Sequence, residues 1–148
     1  MENLKTKMNK KYKILTEYIK DISCETPDIE TYFYVRENIS KYQLSIDINS
    51  KPLKNRILEV NIILRFQDKN LEHKRSYFEI TYSAVAKIEE EIKDKDVMEK
   101  IILCEIPTEI YPKLEKVFIS LVENSGFPAL KIDKKVDFED LYRRKKIN

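Results

Sequence analysis

The residues able to do chemistry are few. The chain has one histidine, His73, two cysteines, Cys24 and Cys104, one glycine, Gly126, and a run of carboxylates at Glu89, Glu90 and Glu91. His73 stands in the polar stretch Asn70-Leu71-Glu72-His73-Lys74-Arg75, which reads as a hairpin loop. A lone loop histidine reads as a surface residue rather than a catalyst or a ligand. A structural zinc site takes about four nitrogen or sulfur ligands, which one histidine and two distant cysteines do not supply. A single glycine excludes the usual glycine-rich phosphate cradle. The glutamate triplet lies among lysines and reads as a solvated connection, whereas an acid/base pair needs one desolvated carboxyl. The inventory therefore points away from an enzyme, a metal site and any cofactor.

The surroundings of these residues fit one globular domain. The chain of 148 residues is 42% apolar and 36% charged, with a net charge of +2 from interspersed acids and bases. That is a solvated surface rather than the one-signed field of a nucleic-acid binder. Lysines 5, 7, 10, 11 and 13 crowd the N-terminus, and Arg143, Arg144, Lys145 and Lys146 nearly end the chain. The expected organisation is a basic, flexible segment over 1–13, a single domain over 14–142, and a short basic tail over 143–148. No signal-peptide core follows the basic start. Apolar runs such as Ile62-Ile63-Leu64 are far shorter than the roughly 20 residues of a membrane span. Two cysteines without a CxxC motif are expected to be reduced thiols, which places the protein in the cytoplasm.

Hydropathy patterning divides the chain. Tyr42, Leu44, Ile46 and Ile48 alternate with polar residues; so do Leu58, Val60, Ile62, Leu64 and Phe66, and then Phe78, Ile80 and Tyr82. Such alternation predicts an antiparallel sheet covered on one face. Segments 14–23 and 31–35 are read as an earlier strand or a broken one. The connections 49–54 and 68–74 suit hairpins, not crossover helices. Beyond Pro107 the period becomes helical, with Ile110, Leu114, Val117 and Leu121 forming a stripe widened by Phe118 and Val122. Thr108 is the expected N-cap, and Gly126 the stop. A second helix is expected from Asp137, with Phe138, Leu141 and Tyr142 on its apolar edge. Strands first and helices last give an α+β fold, a four-stranded antiparallel sheet followed by two C-terminal helices.

Aromatic residues exceed what this core needs. Among nine tyrosines and six phenylalanines, Tyr32, Phe33, Tyr34 and Tyr77 fall outside the alternating pattern. Read as a strand, Tyr32-Phe33-Tyr34 must expose at least one ring, suggesting a subunit interface or an apolar peptide groove.

Five motifs in register carry a family resemblance. Residues 18–27, Tyr-Ile-Lys-Asp-Ile-Ser-Cys-Glu-Thr-Pro, resemble the SecB opening Y-x-K-D-x-S-F-E-x-P. Residues 78–85, from Phe78 to Val85, resemble the family's F-x-V-x-Y-x-G-x strand, and Pro107 and Pro112 match its P-x-x-x-x-P pair. Gly126-Phe127-Pro128-Ala129-Leu130 resembles G-F-P-x-L, and residues 136–142 resemble V-[DN]-F-x-x-L-[YF].

The resemblance implies a SecB-like dimer of dimers, a homotetramer that holds non-native precursor proteins in apolar grooves without ATP and delivers them to the SecA ATPase. It implies acidic contacts for SecA at Asp21, Glu25 and Glu79, with Tyr77 as their apolar neighbour. Tyr32, Phe33, Tyr34 and Phe127 become candidates for the peptide groove or a subunit interface. The chain also departs from the family: Cys24 replaces a phenylalanine, Ser83-Ala84 replaces glycines, and a basic end replaces an acidic tail. These departures raise a second reading, a SecB-like chaperone dedicated to one client such as the antitoxin of a toxin–antitoxin system. A third, a small RNA-binding protein, draws on the basic ends and tyrosines but lacks an RNP-like or GXXG motif.

Overall fold

The computed structural model describes residues 11–68, 76–127 and 136–147. His73, the lysines at 5, 7 and 10, and Pro128-Ala129-Leu130 lie outside them. The elements in chain order are β1 (Tyr12–Cys24), α1 (Ile29–Asn38), β2 (Tyr42–Pro52), β3 (Ile57–Asp68), β4 (Tyr77–Ile88), α2 (Lys95–Lys100), a π-helical turn (Ile101–Glu105), α3 (Ile106–Asn124) and α4 (Phe138–Ile147). The strands form one antiparallel sheet in the order β1-β4-β3-β2, as the alternation predicts.

Strand register separates two unlike faces. On the inner face, Val60, Ile62 and Leu64 of β3 and Phe78, Ile80 and Ala84 of β4 are fully buried. Helix α3 lays Ile110, Leu114, Phe118 and Val122 over them, one residue per turn. Phe118 meets Phe66 and Phe78 edge-on, with ring centroids 5.1 and 6.5 Å away. Each such ring contributes about 1.5–3 kcal/mol through its removal from water. The outer face carries Glu59, Asn61, Arg65, Tyr77, Glu79, Thr81 and Ser83, and no described helix crosses it.

Two expectations are corrected. Residues 31–35 are helical, not a strand, because α1 runs from Ile29 to Asn38. Asp28 caps it, its Oδ1 accepting from the Thr31 N–H at 2.7 Å. Three consecutive aromatics favour a strand by propensity, but the cap and the burial of Thr31 and Val35 under the helix override it. Thr108 is not an N-cap either. The helical stretch starts earlier, at Lys95 behind Asp94, and continues through the π turn into α3. Pro107 explains the π turn. It has no N–H for the carbonyl four residues back, and the wider turn accommodates this, with the Ile106 N–H reaching Ile101. Thr108 instead donates its hydroxyl to the Cys104 carbonyl at 2.6 Å.

The ends of the helices and the β2–β3 turn hold the rest. Gly126 ends α3 at φ 92°. Its N–H reaches the Glu123 carbonyl, and that of Phe127 reaches Val122, two bonds that close the helix. Asp137 caps α4, as expected, by accepting from the Asp140 N–H. Helix α4 runs on to Ile147 through residues expected as a tail, pairing Arg143 with Glu139 and Arg144 with Asp140. Between β2 and β3, Asn55 and Arg56 both take positive φ, 61° and 62°. The Arg56 guanidinium donates to the carbonyls of Ile88, Glu89 and Ile92, tying the turn to the exit of β4.

Phe78→Ala empties the contact point of three rings, Phe66, Phe118 and Phe127. It should cost about 3–5 kcal/mol, read as a lowered denaturant midpoint at unchanged slope.

Candidate interaction surfaces

The outer face is built by strand register. Glu79 on β4 lies opposite Ser23 of β1 and Arg65 of β3, while Tyr77 lies opposite Gln67. Asp21 faces out two pairs along β1 from Ser23, opposite Thr81. Ser23 Oγ and Tyr77 Oη are 3.3 Å apart. Arg65 joins three strands: its Nε donates to Glu79 Oε1 and its Nη1 to Asp47 Oδ2, each at 2.9 Å. Asp21 and Glu25 are exposed, Glu25 just beyond the end of β1, and neither has an ion pair among the described residues.

Beside this patch the face is cross-linked. Glu59 accepts from Tyr18 Oη at 2.7 Å and from Lys20 Nζ at 2.5 Å, which pulls its carboxyl down to about 2. Lys20 is placed for this by a bulge in β1 between Ile19 and Asp21. Asn61 is buried, accepting from the Ser83 hydroxyl and donating to Asn49 at 2.8 Å.

A second surface forms around α1. Tyr32 stacks on Phe127 at 5.2 Å, and Phe127 meets Phe78 edge-on at 5.8 Å. The ring row thus runs from the core out to Phe33, which lies 5.7 Å from Tyr32. Tyr32 Oη donates to the Gly126 carbonyl at 2.7 Å. A Cβ at Gly126 would stand 3.3 Å from the Tyr32 ring, which would have to give by a few tenths of an ångström, and the φ of 92° strains any side chain there. Phe127 is buried at 4% exposure, so it anchors the row rather than meeting solvent. Tyr34 points elsewhere, donating to Asp68 Oδ2 at 2.6 Å.

On α1 the exposed apolar groups are Phe33 at 51% and Ile29 at 58%, one helical turn apart. Ile19 and Ile22 of β1 are also exposed on the inner-face side, near where Cys24 Sγ lies 3.5 Å from Ser125 Oγ. Of the residues expected from sequence, Tyr77 and Glu79 come together with Asp21 along one face, and Tyr32, Phe33 and Phe127 form one row. Arg65 and Ile29 were not anticipated. The four-residue spacing of Ile29 and Phe33 carried that signal, but only once the segment is known to be helical. Among the described residues, no group of acids, histidines and cysteines could hold a metal, and no helix is long and apolar enough to cross a membrane.

A family model described as preprotein translocase subunit SecB matches residues 5–148. A Pelagibacter ubique relative bearing the name of the protein-export protein SecB is 53% identical over 138 residues, covering 93% of this chain and 99% of its own. The protein-export protein SecB of Rickettsia bellii is 29% identical over 130 residues, 87% of this chain and 84% of its own. Among solved structures, a Mycobacterium tuberculosis SecB-like chaperone in complex with a peptide from an antitoxin superposes with a TM-score of 0.63 at 10% identity. The match covers 91% of this chain and 95% of that one, a likeness of fold.

The Glu59 pairing predicts an acid limb to stability. Its folded-state carboxyl is lowered from 4.5 to about 2, so the pairing stabilises the fold above pH 4.5 and is lost as pH falls towards 2. Glu59→Gln should flatten the fall in unfolding midpoint across that window. The effect is small because the Lys20 side chain is 45% exposed and the pair is partly screened by water. An unchanged pH profile would remove the pairing from the stability balance.

Proposed function

The chain belongs to the SecB family, and we propose that it acts in protein export by holding non-native precursors without ATP and passing them to the SecA ATPase. The observation that carries the holding role is the exposed apolar set Ile19, Ile22, Ile29 and Phe33, together with the outer strands β1 and β2. Exposed rings and aliphatic groups accept many apolar segments. Unpaired strand backbone can bond to extended chain of any sequence. Several weak contacts on one client add up to avidity without sequence preference. None of this chemistry calls on a nucleotide or a catalytic side chain.

Assembly as a homotetramer, a dimer of dimers, completes the reading. It would cover part of the exposed apolar surface and multiply the client sites. The cytoplasm is the compartment where precursors meet SecA. For SecA itself, Asp21, Glu25 and Glu79 offer carboxylates on a solvent-facing sheet surface, with Tyr77 beside them. A client-dedicated chaperone, serving for example an antitoxin, is the second reading. The basic end of α4, Arg143-Arg144-Lys145, favours it, since it would repel a basic export partner.

Purified protein should suppress aggregation of a slowly folding precursor equally with and without ATP, and bind the folded form poorly. An absolute ATP requirement would overturn the holding role. Glu79→Lys should weaken SecA binding by about 1–3 kcal/mol, most at low salt, with light scattering confirming unchanged assembly. Equal SecA affinity at low salt would remove the docking assignment and leave the dedicated-client reading as the better one.

A further inference from the structure

We propose that Arg65 is an internal counter-ion that occupies the place of the partner's cation on the outer face, and so sets how tightly that face binds. The inference rests on the docking reading above and names the residue that tunes it.

Arg65 lies on β3, between β2, which carries Asp47, and β4, where it stands opposite Glu79 in register. Its guanidinium forks to Glu79 on one side and Asp47 on the other, at 2.9 Å each. A basic segment arriving at Glu79 therefore meets a carboxylate whose Oε1 already accepts a charge-assisted hydrogen bond. It must displace the guanidinium or take the oxygen that remains. The three groups together carry one negative charge, where the two carboxylates alone would carry two. Lys20 on the same face is held by Glu59, and Lys87 of β4 lies at the far end of its strand, opposite Ile57 and Lys13. Among the described residues, Arg65 is thus the cation held on Glu79.

The clamp can be lost without loss of the fold. The side chains of Arg65 and Asp47 are 39% and 69% exposed, and pairs of that kind hold a fold together only weakly. Strand alternation puts Arg65 on the face opposite the buried rings and aliphatic groups. What its removal changes is the charge met by an approaching partner, which governs association rate and salt dependence. Asp47 also enters the docking surface once Arg65 is gone, extending the acidic strip from β1 across to β2.

The test measures binding of purified SecA to the full chain carrying Arg65→Gln, at low and at high salt. Arg65→Gln should bind about three- to tenfold tighter at low salt, chiefly through faster association, with the gain shrinking as salt rises. Arg65→Lys, which keeps the charge but loses the fork, should gain less affinity than Arg65→Gln. Asp47→Asn, which leaves the guanidinium to Glu79 alone, should bind more weakly, and it reports on the clamp even where Arg65→Gln folds poorly. Unchanged or weaker binding by Arg65→Gln, with Glu79→Lys still defective, would overturn the counter-ion role and leave the docking face standing. If Glu79→Lys and Arg65→Gln both bind as the unsubstituted chain does, the docking face itself is wrong and the counter-ion role falls with it.

Discussion

A sheet of four strands has two faces, and the described helices pack on only one of them. The packing of Phe118 against Phe66 and Phe78 fixes α3 on the inner face, and most other features follow from that choice. Once α3 covers β3 and β4, the inner residues of β1 beyond Ile14 have less to pack against, and Ile19 and Ile22 remain exposed. Because α3 ends in the Gly126 turn, Phe127 is delivered beside Phe78. Tyr32 then stacks on Phe127, which brings α1 to the margin of the core. The exposed ring of Phe33 is a consequence of sealing the interior.

The face left in water is ordered by its own polar groups. Asn49, Asn61 and Ser83 bond across three strands, as do Asp47, Arg65 and Glu79, while Tyr18 and Lys20 share Glu59. Side chains held this way lose little further freedom when a partner arrives, which favours binding without adding contacts. The same bonds occupy acceptors that a partner would want, so order and availability oppose one another on this face.

The sheet was legible because strict alternation admits few other folds, and the family motifs placed the acidic positions in turn. Gly126 was legible as a helix stop for the same local reason: a positive φ after an apolar stripe calls for glycine. Helix α1 was not, because Tyr32-Phe33-Tyr34 has strand-forming side chains and its cap, Asp28, is a single residue. The early helix start was hidden by two prolines that read as an opening and lie instead after a π turn and within α3. The Arg65 clamp needed cross-strand register between β2, β3 and β4, and no spacing in the sequence specifies that. Exposure of Phe33 rather than Tyr32 depended on a helical rotation of about 100° per residue, information that a strand reading discards.

The turn between β2 and β3 carries a consequence for folding order. Asn-Gly is the pair that such a hairpin adopts most readily, since both positions need positive φ. Arginine in the second position makes the isolated hairpin reluctant to close. Its guanidinium finds three carbonyls only after the end of β4 and the following turn have arrived. The strain of one residue is thus relieved by a segment more than thirty positions later in the chain. A half-built sheet of β2 and β3 alone gains little, and closure of the β2–β3 turn is coupled to completion of β4. That coupling disfavours partly assembled sheets, whose open strand edges could pair with other chains.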